Sequence, residues 1–552
     1  MVEFFGGYAR FVSANVGQHE DGGRRGFVFP VAHLMGLAPL DVWIRTIRRS
    51  GGVRPGYWVR LVGVLFTSLV GTMCSTPERV LVWALRRGRM GGRERFEHAP
   101  GVIVITGYYR SGTTHAQNLM SCGPGVVTPR WAQALMGQGW VVSWFIARLL
   151  LVPFVGSSRP QDGVGFGPMW AGEDDFALAT WGVCSTLPGR LVFPGSWGFW
   201  SRFNTLEGCD ARERARFRRT VAGFAWKVTR AKRDRVLVLK TPSHGAHLGE
   251  LKAVFGDSMR VIHLVREPEA VVASNMRLHH ALRQHLLEEP VGVDELRARI
   301  VEEYLELERA AKVGLEGLPH TVVAHEDLVA DPVGVLGSAL DAIGHPMTDE
   351  HERAMVRYLG ELGAYQRTKH GDAPMGSPTA DEGAKLDEIR GMHGHGEPVS
   401  RVPIEPVVRE RRTVLGVLSA IGIALLFALV WVGLVWVFRQ ALPGWKPRLD
   451  QLVWVGGACI GLGAQRAGIV GSRGLGVLCA ALTIGVYLGV SFPITVINWN
   501  YGAQYGHEEW VKHNTKGAIE GVIALSSIVF ALLGAVTGYK HGSYTGPRAP
   551  GT

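Results

Sequence analysis

The chain has 552 residues, 59 Lys and Arg against 48 Asp and Glu for a formal net charge of +11, and 47% hydrophobic residues. That composition excludes a disordered or collagen-like chain, and six cysteines without CxxC or regular spacing exclude a disulfide scaffold. The mean hydropathy of +0.10 averages two regions: residues 1–412 hold 50 basic and 44 acidic groups, whereas residues 413–539 hold seven and four. The start, MVEFFGGYAR, lacks the basic n-region and apolar core of a signal peptide. With cysteines read as free thiols, this points to a reducing compartment. Residues 1–98 contain PLDVWIRTIRRSG and STPERVLVWALRRGR, both patterned as amphipathic helices that pack on a sheet or a membrane. Tyr57–Cys74, with Arg60 as its one charge, and Trp140–Gly156, with Arg148, each fit an interfacial helix or a core helix, with a true membrane span as the less favoured alternative.

Val102–Thr106 (VIVIT) is a β-branched run of the kind that forms a buried parallel strand. It leads into Gly107-Tyr108-Tyr109-Arg110-Ser111-Gly112-Thr113-Thr114 and then a helix-compatible stretch. Strand, glycine loop and helix together form an anion nest at a helix N-terminus. The spacing is that of a P-loop, but Thr113 stands where a nucleotide triphosphatase has Lys. Val236–Leu239 is a second buried run, ending in Lys240-Thr241-Pro242-Ser243-His244. Arg260–Val265 is a third, ending in Arg266-Glu267-Pro268, with Ser274 on the helix beyond. Alternating strands and helices predict an α/β fold with a parallel sheet and flanking helices, and ligand-binding loops at the carboxyl ends of the strands.

Between strand regions, Glu173-Asp174-Asp175 reads on pattern alone as a solvated acidic face. The basic runs Arg212–Arg219 and Lys227–Arg235 read as a solvated helix face or a membrane-surface patch rather than a nucleic-acid site. Gln366–Val408 is rich in Gly, Pro and His and reads as a linker, in which His393 and His395 are solvated. No HExxH motif or Cys/His ligand spacing is present, so no metal is expected.

Thr413–Phe438 is 26 residues without a charge, enough to span hydrocarbon. Leu452–Gly471, Leu475–Ile497 and Ala518–Tyr539 are three further candidates, giving an expected bundle of about four transmembrane helices. Gln465 and Arg466 weaken the second, where Arg466 is read as snorkelling, and Gly457 and Gly461 would allow close helix packing. Basic residues outnumber those on the opposite side of the bundle on the side that would carry the large domain. This predicts a cytoplasmic catalytic domain at an inner membrane, with a lumenal, Golgi-type placement as the alternative. The expected division is 1–98 (N-terminal helical region), 99–365 (catalytic domain), 366–412 (linker), 413–539 (membrane domain) and 540–552 (tail).

GYYRSGTTH, LKTPSH and VIHLVREP with Ser274 eight residues past Arg266 resemble the sulfotransferases that use 3′-phosphoadenosine 5′-phosphosulfate, in particular the membrane-associated RSGTT branch. Arg159-Pro160-Gln161-Asp162, GEDDFAL and His325-Glu326-Asp327-Leu328 look like later blocks of that branch, so the resemblance covers roughly residues 101–365. It implies that Gly107, Gly112 and the hydroxyls of Ser111, Thr113 and Thr114 hold the 5′-phosphosulfate. It also implies that Arg110 neutralises charge on the bridging oxygen and that Arg266 and Ser274 bind the 3′-phosphate. The acceptor would be a hydroxyl of a glycan, lipid or glycolipid. A base is needed within reach of that hydroxyl. Glu173 and His244 are the candidates, with Lys240 placed to assist the leaving phosphate. Soluble members of the family show Lys-x-His, whereas here Lys240 and His244 are separated by three residues. Two other readings stand beside this one: a P-loop phosphotransferase or nucleotidase, against which the missing loop Lys speaks, and a non-catalytic nucleotide-binding membrane receptor or scaffold.

Overall fold

The computed structural model describes residues 33–86, 94–98, 100–141, 167–362, 373–393, 413–441 and 474–487, with scattered positions in 453–464 and 531–539. Arg159–Asp162, Gln465, Arg466, His395 and nearly all of Trp140–Gly156 lie outside the described residues, as do most of the second and fourth candidate spans. The chain divides into two compact units, one made of Met1–Arg148, Ser158–Pro406 and Arg548–Thr552, the other of Leu149–Ser157 and Val407–Pro547.

In the first unit, the uninterrupted apolar runs form a five-stranded parallel sheet. Its strands are β1 (Val102–Thr106), β2 (Val126–Val127), β3 (Val236–Lys240), β4 (Met259–Val265) and β5 (His320–Ala324), in the order β2-β3-β1-β4-β5. β1 and β3 are buried at every position, as strands covered on both faces must be. The register pairs Ile105 with Lys240 and Thr106 with His263. The loop after β1, the end of β3 and Arg266 after β4 therefore stand side by side at one edge. β2 and β5 were not legible as strands, one having two residues and the other only Val323 fully buried.

The helices used below are α1 (Leu40–Arg49), α2 (Trp58–Arg86), α3 (Thr113–Met120), α4 (Ala211–Thr229), α5 (Leu248–Phe255), α6 (Pro268–Leu282), α7 (Val293–Leu315) and α8 (Glu382–His393). α4 starts where Asp210 and Glu213 form a reciprocal capping box. Its basic run is only partly solvated. Arg218 and Arg219 pair with Glu94, and Arg218 also pairs with Glu250 of α5. Lys227 departs from the solvated-face expectation altogether. It shares a face with Thr220 and Phe224, is buried, and lies 2.6 Å from Glu78 of α2. The stretch expected to be a linker contains α8, which packs Leu386 and Ile389 into the α7 core and pairs Glu382 with Arg297. Two apolar anchors are too few to show as a period.

The second unit contains α9 (Thr413–Ala441) and an apolar helix over Gly474–Tyr487. Trp431, Val453, Tyr487 and Ala531 form one of its packed clusters. Gly457 is packed so closely on Gly534 that a Cβ would run into the Gly534 carbonyl. Among the described residues, Pro55–Val82 and Val414–Gly433 are long and apolar enough to cross a membrane.

Candidate active site

The loop between β1 and α3 takes left-handed backbone at Gly107 (φ 131°), Arg110 (φ 76°) and Gly112 (φ 98°). Glycine is required at two of these positions on two grounds. A Cβ at Gly107 would strike the Leu264 carbonyl, and one at Gly112 would strike His325 Nδ1. No side chain caps α3, whose first turn starts at Thr113 directly after Gly112. An uncapped first turn leaves amide hydrogens for an anion. The Ser111 hydroxyl is buried with no hydrogen-bond partner among the described residues.

The loop is held from behind by α7. Glu308 accepts from the Tyr108 amide (3.2 Å) and faces His263 Nε2 at 3.0 Å. Glu303 accepts from the Tyr108 hydroxyl at 3.0 Å and also pairs with buried Arg190. The Arg190 guanidinium lies 3.7 Å from the Tyr109 ring centre, and Asn275 donates to the Tyr109 carbonyl. None of these supports was found from the sequence, because VEEYLELERAA looks like a solvated helix. The signal was present: Glu303 and Glu308 sit on the stripe of Ile300, Tyr304, Leu307 and Ala311 that forms the core face of α7.

Arg110, Arg266 and Ser274 come together. Arg110 Nε donates to Ser274 Oγ at 3.0 Å, and Arg266 Nη1 donates to the Arg110 carbonyl at 3.0 Å. Arg110 is therefore engaged on the Ser274 side of the loop. The cation beside Thr114 is Lys240, whose Nζ lies 3.3 Å from Thr114 Oγ1 and 2.5 Å from Glu173 Oε1. Lys240 is fully buried, and the Glu173 side chain keeps 16% exposure.

Glu173 and Asp174 face the end of β3 and Asp175 is buried, so a solvated acidic face is not what forms. Asp174 accepts from the Lys240 amide (3.0 Å) and lies 2.5 Å from His244 Nε2. The Asp175 amide donates to Thr241 Oγ1 at 3.0 Å. Burial pushes the Asp175 carboxyl up to about 7, although Ser185 and His244 oppose the shift. Burial would raise Asp174 as well, but His244 outweighs it and holds the carboxyl below its usual value.

His244 is fully buried within the Pro242–His247 turn, not at the surface. His247 Nε2 faces the Phe203 carbonyl at 2.9 Å and must donate, and burial pushes its pKa down to about 3, so the ring is neutral. His247 Nδ1 lies 3.4 Å from His244 Nδ1. With Nε2 directed at Asp174 and Nδ1 at His247, both His244 nitrogens face protein partners. Of the two base candidates, Glu173 is the one brought beside the loop through Lys240 and Thr114.

An open cleft lies on the side of the residues that support the loop, lined by Leu191, Trp197, Leu282, Leu286 and Ile300 together with Arg190, His279 and Glu303. Arg190 and Glu303 join it to the loop tyrosines, and α6 carries both Ser274 and His279. Among the described residues, no cluster of three His, Cys, Asp or Glu is placed to hold a metal ion.

Residues 197–349 match the sulfotransferase family. That span takes in Lys240, His244, Arg266 and Ser274 and leaves out the loop after β1. Two relatives, both named omega-hydroxy-beta-dihydromenaquinone-9 sulfotransferase Stf3, come from Mycobacterium bovis and Mycobacterium tuberculosis. Each is 26% identical over 336 residues, 60% of this chain and 83% of the relative. A solved structure, sulfotransferase STF1 of Mycobacterium tuberculosis, is 19% identical with a TM-score of 0.44, covering 64% of this chain and 90% of its own.

Proposed function

We propose, for a chain that is a sulfotransferase by its family match and its relatives, that it moves a sulfuryl group from 3′-phosphoadenosine 5′-phosphosulfate to the hydroxyl of a membrane lipid. The observation that carries the reading is Lys240. A buried cation at a strand end touches both a loop threonine and a carboxylate, which is what a phosphosulfate and an incoming hydroxyl require on either side of one sulfur. The loop amides and the Ser111, Thr113 and Thr114 hydroxyls would receive the 5′-phosphosulfate. Arg110, Arg266 and Ser274 together would receive the 3′-phosphate, a revision of Arg110's role made because its guanidinium is directed at Ser274.

In the reaction, the acceptor oxygen attacks sulfur and the bond from sulfur to the bridging phosphate oxygen breaks. The acceptor proton passes to Glu173, and charge building on the leaving phosphate is met by Lys240. Asp174 and His244 act through Lys240, fixing the backbone from which it projects. The apolar cleft supports a lipid acceptor, and the relative's name supplies a precedent in a hydroxylated quinone. The C-terminal apolar helices, α9 and Gly474–Tyr487 among them, support membrane attachment of residues 413–539, with the catalytic domain at 99–365.

The test incubates the full chain with sulfur-labelled donor and a polyprenyl quinone carrying a terminal hydroxyl. Label in the lipid, with donor KM raised in Arg110→Ala, is expected. Unimpaired transfer by that variant overturns the phosphate-site assignment, and magnesium-dependent ATP turnover without sulfated product would instead favour a phosphotransferase.

A further inference from the structure

The geometry points to the outer face of α2 as a docking surface for an anionic phospholipid bilayer, on which the helix lies in the plane of the membrane rather than crossing it. The two long sides of this helix differ in kind. Placed at 100° per residue, Trp58, Val59, Val62, Phe66, Leu69, Met73 and Val80 fall within about 100° of one another. All are exposed, from 50% at Leu69 to 68% at Met73. The stripe runs for about 33 Å at 1.5 Å per residue.

The opposite side is fixed to the catalytic unit by contacts that a lipid environment could not replace. The Ser68 hydroxyl donates to the Ala38 carbonyl, and Thr72 accepts from the Leu40 amide. Gly71 packs so tightly that a Cβ would strike the Leu37 carbonyl. Glu78, the only acid in the helix, is buried against Lys227 and accepts from the Val141 amide. Pulling this side into hydrocarbon would separate a buried ion pair, a cost of several kcal/mol. A helix fixed along one side and apolar along the other has the form of an interfacial helix.

Charge selects the occupant. Residues 40–95 contain eleven arginines and three acids. Each acid already has a basic partner: Asp41 with Arg45 and Arg79, Glu78 with Lys227, Glu94 with Arg218. A second copy of the chain would bring a second set of arginines against the first and be repelled, whereas anionic headgroups would be attracted. Trp58, exposed at the start of the stripe, is the residue type that favours the headgroup level.

Docking in this way has a consequence for the cleft. Arg60, in the first turn of α2, donates to the Leu286 carbonyl at 2.5 Å, and Leu286 lines the cleft. The cleft wall at Leu286 therefore adjoins the inner side of α2, one helix away from a bilayer seated on its outer face.

The test uses the full chain, with the part-exposed Cys74 and Cys459 changed to serine, in phosphatidylglycerol–phosphatidylcholine nanodiscs. Nitroxide labels are placed singly at 62, 66, 69, 73 and 80, and collisions with oxygen and with a water-soluble nickel complex are compared. The expected result is preference for oxygen at all five positions and one common depth, about 5–10 Å below the phosphates. Three results would each overturn the inference: preference for nickel throughout, depths running from one surface at 62 to the other at 80, or protection from both reagents with spin–spin coupling between copies. The labelled positions are exposed, so parent-like melting is expected and guards against misfolding. No turnover enters the measurement, so its failure is distinct from a failure of the transfer assay.

Discussion

Lys240 Nζ stands 2.5 Å from Glu173 Oε1 while its own backbone amide is held by Asp174, so two adjacent acids grip one lysine from opposite ends. With Glu173 as base, Glu173→Gln should lower kcat about 10²–10⁴-fold with little change in donor affinity. Lys240→Met should lower kcat by a comparable factor, and the double variant should fall well short of the product of the two losses, because the groups act as a unit. Additive effects in steady-state kinetics would separate the two residues functionally.

Gly112 is constrained twice, by φ of +98° and by His325 standing where a Cβ would go. Gly112→Ala should strain the loop by about 1–3 kcal/mol. Affinity for the bisphosphate product 3′-phosphoadenosine 5′-phosphate should drop about tenfold or more, measured by titration calorimetry. Gly249→Ala, on α5 with open space around the Cβ position, is the matched control and should bind normally.

Asp175 supplies a pH dependence of stability. A carboxyl pushed up to about 7 in the fold, against about 3.8 when free, is neutral at low pH in the native state. The folded state then binds the proton more tightly than the unfolded one, so stability is lost as pH rises from about 4 to about 7, at up to about 1.4 kcal/mol per unit. Asp175→Asn should flatten that slope, making the variant more stable than the parent at pH 8 relative to pH 5. Parallel denaturation curves at the two pH values read the difference directly. An unchanged difference would mean that the Asp175 carboxyl is ionised across this range.

Glu78 and Lys227 form a buried pair, with the Gly137 carbonyl as a third partner of the lysine at 2.9 Å. Lys227→Met alone should destabilise by about 3–5 kcal/mol by stranding a buried carboxylate. Adding Glu78→Leu should restore part of the loss. A double-mutant cycle on unfolding midpoints measures the coupling, and a double variant as unstable as the sum of the singles would refute it.

The central sheet was readable because β1, β3 and β4 are continuous apolar runs and each ends in a chemically distinctive loop. The phosphate loop was readable because glycine spacing encodes backbone shape. What escaped were relationships across long separations. Asp174 lies 66 residues from Lys240 and 70 from His244, and nothing in GEDDFAL says that its acids turn inward. Lys227 was hidden inside a basic run, although Phe224 three residues before it marks the buried face of α4. His247 went unread, although a single 3₁₀ turn places it against His244. Most of the expected four-helix bundle falls outside the described residues. Within them, α9 is 29 residues long and Gly474–Tyr487 is a shorter helix.

The outward stripe of α2 also bears on how the enzyme would behave when cut. Deleting everything after residue 412 removes the longest uncharged run and leaves a piece with 94 charged side chains, on paper a freely soluble protein. That piece would still carry Val62, Phe66, Leu69 and Met73 bare to solvent along one helix. Such a fragment behaves as an amphiphile: it binds detergent and adsorbs to anionic surfaces no less than the intact chain. Charge substitutions along α2, more than truncation, are what would turn it into a monodisperse aqueous enzyme.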